Sequence, residues 1–401
     1  MTGFRPLAPD DDGDWTGTIR AIHDSSVRMV LSVTGGGAGA ISRLLEVPGG
    51  SRTVLEGRVP YAASALAEWL GRPPEQACSR ATALGMAAVA ERRVRQLDGE
   101  AVVAAGARPL WLGVAATSAL VSDRPKKGDH RSHLAVHSSR ATHAVSVTLS
   151  KGLRSREAEE RLVGDLLLSL VAEQLGIEPP IIELQQGGDT LEERRVEAGV
   201  LERALLEQSR GVVWRVGAGP GEEEPRTAVR AIFPGSFNPV HEGHRQLQQI
   251  ASRRLQGAVA WEISVVNVDK PPLDLITLEE RCAQFAGEPV VLTRSPLFAQ
   301  KAEVLPGMIF VVGADTAARL VDPKYYGGDP QAMQTALGTI RRHGCRFLVA
   351  GRAQQGDYVS LRQLPIPAGF RELFEEIPEE EFRCDISSTE LRRQQQTTEG
   401  A

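Results

Sequence analysis

Twelve residues, Phe233 to His244 (FPGSFNPVHEGH), combine types that a plain turn does not need. The apolar run VRAIF before them reads as a buried strand, and Leu247, Ile250, Ala251 and Leu255 follow at helical spacing. Pro234, Gly235 and Pro239 bend the chain tightly between the two, and Gly235 lets a ligand approach the backbone with no Cβ in the way. A helix start offers unpaired N–H groups and positive dipole density, a natural phosphate site. His241 and His244 are three residues apart, so they point the same way on a first helical turn, and Gly243 keeps the surface between them open. Two imidazoles so placed donate hydrogen bonds to phosphoryl oxygens as charge builds at phosphorus. A zinc site lacks a third ligand nearby, and H-x-x-H is one residue short of the H-E-x-x-H helix pair, so no protein metal site is expected.

Far downstream, Ile386–Arg393 reads ISSTELRR. Ser387 with Glu390 three residues later forms a capping box and marks a helix start. The hydroxyls of Ser387 and Ser388, the free N–H groups of that helix start and the charge of Arg392 suit a triphosphate.

The two segments together carry a resemblance. G-S-F-N-P-V-H-E-G-H is similar to the G-x-F-x-P-x-H-x-G-H signature of the nucleotidylyltransferase superfamily. That superfamily includes nicotinamide/nicotinate mononucleotide adenylyltransferases, phosphopantetheine adenylyltransferase and several cytidylyltransferases. Ile386, Ser387, Ser388, Thr389 and Arg392 match its second motif, I-S-S-T-x-x-R. The resemblance covers residues 228–393 and implies a Rossmann-like, doubly wound parallel sheet. It implies catalysis by His241 and His244, and nucleotide or phosphate binding by Gly235, Ser236, Phe237, Asn238, Ser387, Ser388, Thr389 and Arg392. Lys270, opening a K-P-P at a strand end, resembles the family's basic residue near the substrate phosphate. Gly313 and Asp315, after the strand MIFVV, resemble its G-x-D element, and ligands in open α/β sheets bind at strand C-termini.

The reaction implied is attack by a phosphorylated acceptor, such as nicotinamide or nicotinate mononucleotide, on the α-phosphorus of a nucleoside triphosphate. ATP is the first choice, and pyrophosphate leaves. Mg²⁺ arrives with the triphosphate. The motifs touch phosphates rather than the base, so a cytidylyltransferase acting on another phosphometabolite is the alternative. A nucleotide-binding protein or nucleoside triphosphatase is a third reading.

The N-terminal half carries a second resemblance. Leu31-Ser-Val-Thr-Gly-Gly is similar to the E-S-x-T-G-G motif of the CinA C-terminal domain, the nicotinamide mononucleotide deamidase family. VPGGSRTVLEGRVPY, ending at Tyr61, and GLRSREAEERLVGDLL resemble further stretches of that family, over residues 27–175 in all. This implies an α/β domain with a site at Ser32, Thr34, Gly35, Gly36 and Tyr61. Leu31 replaces the family's Glu, Leu66 replaces a basic residue, and Gly113–Thr117 replaces its G-I-A-G-P loop. A serine nucleophile needs an activating base, and none is identifiable. A retained binding or structural domain is therefore expected rather than an active deamidase.

The elements that must position these residues follow from pattern. In the first half VRMVLSV, Ala101–Ala105, Trp111–Ala115 and the alternating His143–Leu149 read as strands, while Gln76–Leu97 and the stripe Leu162–Val171 read as helices. After GAGPGEEEPRT (Gly217–Thr227), VRAIF, EISVVNV, MIFVVGA and CRFLVAG repeat the alternation. Parallel sheets are expected in both halves. The domains read as 16–210 and 228–393, with 211–227 as linker and 394–401 as a disordered tail.

The chain has 401 residues and a net charge of −5, which gives no electrostatic case for wrapping nucleic acid. No apolar run approaches the ~20 residues that span a bilayer, and the acidic N-terminus does not resemble a signal peptide. Four cysteines, none in C-x-x-C spacing, fit a reduced cytoplasmic protein. The expected partners are small molecules, and oligomeric state is left open, a homo-oligomer included.

Overall fold

The structure, a computed structural model, describes residues 15–105, 109–124, 127–184, 188–208, 210–216, 229–267, 270–354 and 357–384. The run 217–227, Ser387, Ser388, Thr389, Arg392 and the tail 394–401 lie outside the described residues. The chain divides into two compact units: residues 1–199 with 269–278, and residues 200–268 with 279–401. Among the described residues, no helix is long and apolar enough to cross a membrane.

The first unit holds α1 (Trp15–Asp24), β1 (Val27–Thr34), α2 (Gly39–Glu46), β2 (Val54–Arg58), α3 (Ala63–Leu70), α4 (Arg80–Ala105), β3 (Leu110–Ala119), β4 (His130–His137), β5 (Ala141–Leu149), α5 (Arg156–Gln174) and β6 (Thr190–Glu197). Its six-stranded sheet has the order β2-β1-β3-β4-β5-β6. Met29, Leu31 and Val33 of β1 join a core with α1, α2 and α5, whereas Val30 joins a core with α3 and α4. Helices thus cover both faces, which is why VRMVLSV is almost continuously apolar.

Three expectations are corrected here. The sheet is parallel only across β2-β1-β3, and the pairings from β3 to β6 are antiparallel. Residues 138–140, which join β4 to β5, are far too few for a crossover. Ala101–Ala105 extends α4 instead of forming a strand; a short apolar run is ambiguous by itself, and here it adds turns to a helix already begun. Gly113–Thr117, aligned with a family loop, instead continues the strand expected at Trp111–Ala115 as the middle of β3. A Cβ on Gly113 would lie 1.9 Å from the Ala87 carbonyl oxygen, so α4 rests directly on the strand.

Residues 269–278 complete this unit from a distant part of the sequence. Ile276 is buried under α3 and α4, and the Leu275 N–H donates to Thr142 Oγ1 at 3.0 Å. On β4, His133 is half-buried with Nδ1 2.8 Å from Ser146 Oγ. Burial, reinforced by the charges of Arg131 and Arg80, pushes its pKa down to about 4. The unfolded chain keeps a value near ~6.5. Between those values the unfolded state binds the extra proton, so stability is full above the unfolded pKa and falls as pH drops through the window. Urea midpoints measured across that window should decline on acidification, and His133→Gln should flatten the decline.

The second unit contains α6 (Val200–Glu207), β7 (Val212–Val216), β8 (Val229–Pro234), α7 (Glu242–Leu255), β9 (Ala258–Ser264), the end of α8 (Leu275–Cys282), β10 (Pro289–Thr293), α9 (Phe298–Val304), β11 (Ile309–Gly313), α10 (Ala314–Leu320), α11 (Pro330–Arg342), β12 (Arg346–Ala350), β13 (Arg352–Gln354), β14 (Asp357–Val359) and β15 (Phe374–Ile377). The unit boundary falls after Gly199 rather than near 210, and Val212–Val216, read from sequence as linker, forms β7. The main sheet has the order β15-β12-β11-β8-β9-β10-β7. All its pairings are parallel except β10–β7. From β8 the chain proceeds through β9 and β10 on one side, then returns through β11, β12 and β15 on the other. The reversal between β8 and β11 opens the crevice in which doubly wound sheets bind ligands.

Candidate active site

Phe233–His244 leaves the C-terminal end of β8 at that crevice. The Gly235 N–H donates to the Glu262 carbonyl at 3.0 Å, which fixes the bend to the end of β9. Phe237 has φ +42° and is 1% exposed. Its ring stands edge-on to Phe233, Trp261 and Phe285, at centroid distances of 5.7, 5.1 and 5.2 Å. Phe237 is therefore core support for the loop rather than a surface that meets a nucleotide. Gly235 makes room for it: a Cβ there would fall 2.4 Å from the Phe237 ring. Packing, not only ligand approach, calls for glycine at this position.

His241 caps α7 with an extended backbone, φ −138° and ψ 171°. Its ring stacks on His244 at a centroid distance of 3.7 Å. The His241 backbone N–H donates to His244 Nδ1 at 3.2 Å. With Nδ1 accepting, the neutral tautomer of the His244 ring carries its proton on Nε2. Ser236 and Asn238 belong to the same loop, Ser236 half-buried and Asn238 exposed.

Sequence reasoning missed two residues that hold this loop. Gln284 spans it with one amide: Oε1 accepts the Val240 N–H at 2.8 Å, and Nε2 donates to the Phe237 carbonyl at 2.9 Å. Cys384 packs over Gly243, where a Cβ would meet its Sγ at 2.1 Å. Neither leaves a local pattern, since each partner is distant in sequence. Beneath the loop, Trp261 Nε1 donates to Glu288 at 2.7 Å, and the Arg245 guanidinium covers the Trp261 ring at 5.1 Å.

Gly313 caps α10 at the C-terminal end of β11, and Asp315 lies in the first turn of that helix. Because β11 pairs directly with β8, this element leaves the sheet beside the histidine loop. Lys270 is not brought there by its own unit, because it falls in the 269–278 segment that belongs to the first unit.

Residues 232–394 match the family model Cytidylyltransferase-like. The second unit thus carries a nucleotidyltransferase-type domain. No curated protein matches the chain. Among solved structures, the chain is similar to the competence/damage inducible protein CihA from Agrobacterium tumefaciens, with 22% identity, 43% of this chain and 98% of that one covered, and a TM-score of 0.32. It is also similar to a competence-damaged protein (CinA) superfamily protein from Escherichia coli, with 19% identity, 43% and 95% coverage, and a TM-score of 0.32.

In the first unit, Thr34, Gly35, Gly36 and Tyr61 converge on a cavity of about 390 Å³, together with Arg156 and Glu160. Ser32 does not line it. Its side chain is 0% exposed within β1, and Oγ has no hydrogen-bond partner among the described residues. The start of α2, where a phosphate would bind, is taken by the chain itself: Glu160 Oε1 accepts the Gly37 N–H at 2.9 Å and the Gly39 N–H at 3.4 Å. Arg156 donates to the carbonyls of Gly35 and Val121 at 2.8 and 3.1 Å.

Proposed function

We propose that the second unit is a nucleotidylyltransferase that moves a nucleotidyl group from a triphosphate, ATP first, to a phosphorylated acceptor. Nicotinamide or nicotinate mononucleotide is the acceptor class that suits the deamidase-like resemblance of the first half. The observation that carries this reading is the stacked His241–His244 pair at a helix start, set at the crevice between β8 and β11.

The acceptor is a phosphate and is already ionised, so no base need deprotonate it. One of its oxygens attacks the α-phosphorus in line as the bond to the β-phosphate bridging oxygen breaks, and pyrophosphate departs with that electron pair. The two imidazoles and the N–H groups of α7 stabilise the charge that grows on the phosphoryl oxygens. The triphosphate would enter as its Mg²⁺ complex, with the ion held mainly by phosphates and water.

We read the first unit as a binding or structural module, since Ser32 is sealed from its cavity and lacks a base. A panel of Mg²⁺–ATP and Mg²⁺–CTP against phosphorylated acceptors tests the main reading. Acceptor-dependent pyrophosphate release, with the joined product seen by mass, is the expected outcome. Pyrophosphate or phosphate release indifferent to every acceptor would instead identify a triphosphatase.

A further inference from the structure

A second cavity, of about 220 Å³, lies in the first unit and is lined by Arg58, Trp69, Val89, Arg92, Arg93 and Gln96. These residues come from β2, α3 and α4. The charges around it do not balance. Glu56 pairs with both Arg58 and Arg93, the latter at 2.7 Å, so three guanidinium groups face one carboxylate. Arg92 makes no hydrogen bond or ion pair with any described residue; it is half-buried, and desolvation pulls its pKa down. Trp69 is 9% exposed, and its Nε1 is buried with no acceptor. The Arg58 guanidinium lies over the Trp69 ring at 4.8 Å and helps to fix it.

We propose that this cavity binds a phosphate dianion, free or as a monoester. A half-buried charge without a partner and a buried N–H without an acceptor both cost stability, and a chain folding only for stability has no need of either. A doubly charged group with several acceptor oxygens relieves both at once. Two guanidinium charges in excess match a dianion better than a carboxylate. Tetrahedrally placed oxygens can meet donors from α3 and α4 together, and arginine forks are the side chains best shaped for phosphate. The site is separate from the histidine loop and does not depend on the transferase reading.

The test follows the Trp69 indole N–H by NMR in the full chain, assigned by its loss in Trp69→Phe. Inorganic phosphate should shift this resonance saturably at constant ionic strength, and chloride should not. Arg92→Leu should raise the half-saturating concentration at least about tenfold. With no phosphate present it should unfold at or above the wild-type temperature, since it removes an unpaired desolvated charge. Ribose 5-phosphate distinguishes the source: saturation below the inorganic phosphate concentration points to a phosphorylated metabolite, and the reverse to free phosphate. A resonance that phosphate leaves unmoved, that chloride moves equally, or that responds unchanged in Arg92→Leu would overturn the proposal. His241→Ala, in the other unit, should leave the shift intact.

Discussion

Alanine at His241 or His244 should slow acceptor-dependent pyrophosphate release by about 100-fold or more, the scale of a lost transition-state donor. Alanine at His244 also removes the acceptor of the His241 backbone N–H and an edge contact to Phe237 at 5.3 Å, so lost structure could mimic lost catalysis. His244→Asn separates the two. Its amide oxygen can take the place of Nδ1 and keep the helix cap, while nothing replaces the Nε2–H. His244→Asn should therefore unfold close to the wild-type temperature yet turn over as slowly as His244→Ala. If it retains most of the wild-type kcat, the Nε2 donor has no part in the chemistry.

Gly113→Ala should be strongly destabilising to the first unit. The new Cβ would meet backbone on α4, 1.9 Å from the Ala87 oxygen and 2.4 Å from the Glu91 nitrogen, and backbone cannot turn aside as a side chain can. A loss of about 3 kcal/mol or more is expected, at or beyond the usual ceiling for overpacking. Gly99→Ala on α4 is the matched contrast, since a Cβ there has nothing within 4 Å. It should stabilise by about 0.5–1 kcal/mol, the ordinary gain in a helix interior. Denaturant titration of both variants reads the pair directly. Equal effects would mean that α4 does not rest on β3 at Gly113.

The same glycine marks where sequence reading stops. Gly113 falls within a run that reads as a strand, Trp111–Ala115, yet nothing local reports that a helix lies on it. Phe233–His244 is legible because strand, bend and helix are consecutive and each has its own signature. Its histidine pair is therefore legible from the sequence, whereas the burial of Phe237, a residue expected to contact ligand, is not. Gln284 and Cys384 act on the loop from far along the chain and have no periodic signal. Val212–Val216 adjoins a Gly- and Glu-rich run and so reads as linker, although its apolar residues pair with β10. The first sheet was read as parallel because strands and helices alternate in its first half; the hairpin through residues 138–140 was the cue against extending that to β5.

The return of residues 269–278 to the first unit has a consequence for biosynthesis. A ribosome delivers the chain in order, so α3 and α4 emerge long before Ile276, which completes the core beneath them. Until then the nascent N-terminal half carries an unfilled apolar notch, so the first unit cannot finish before much of the second has been translated. A gene cut between the two motif-bearing regions would yield a fragment with that notch permanently open, prone to self-association through it.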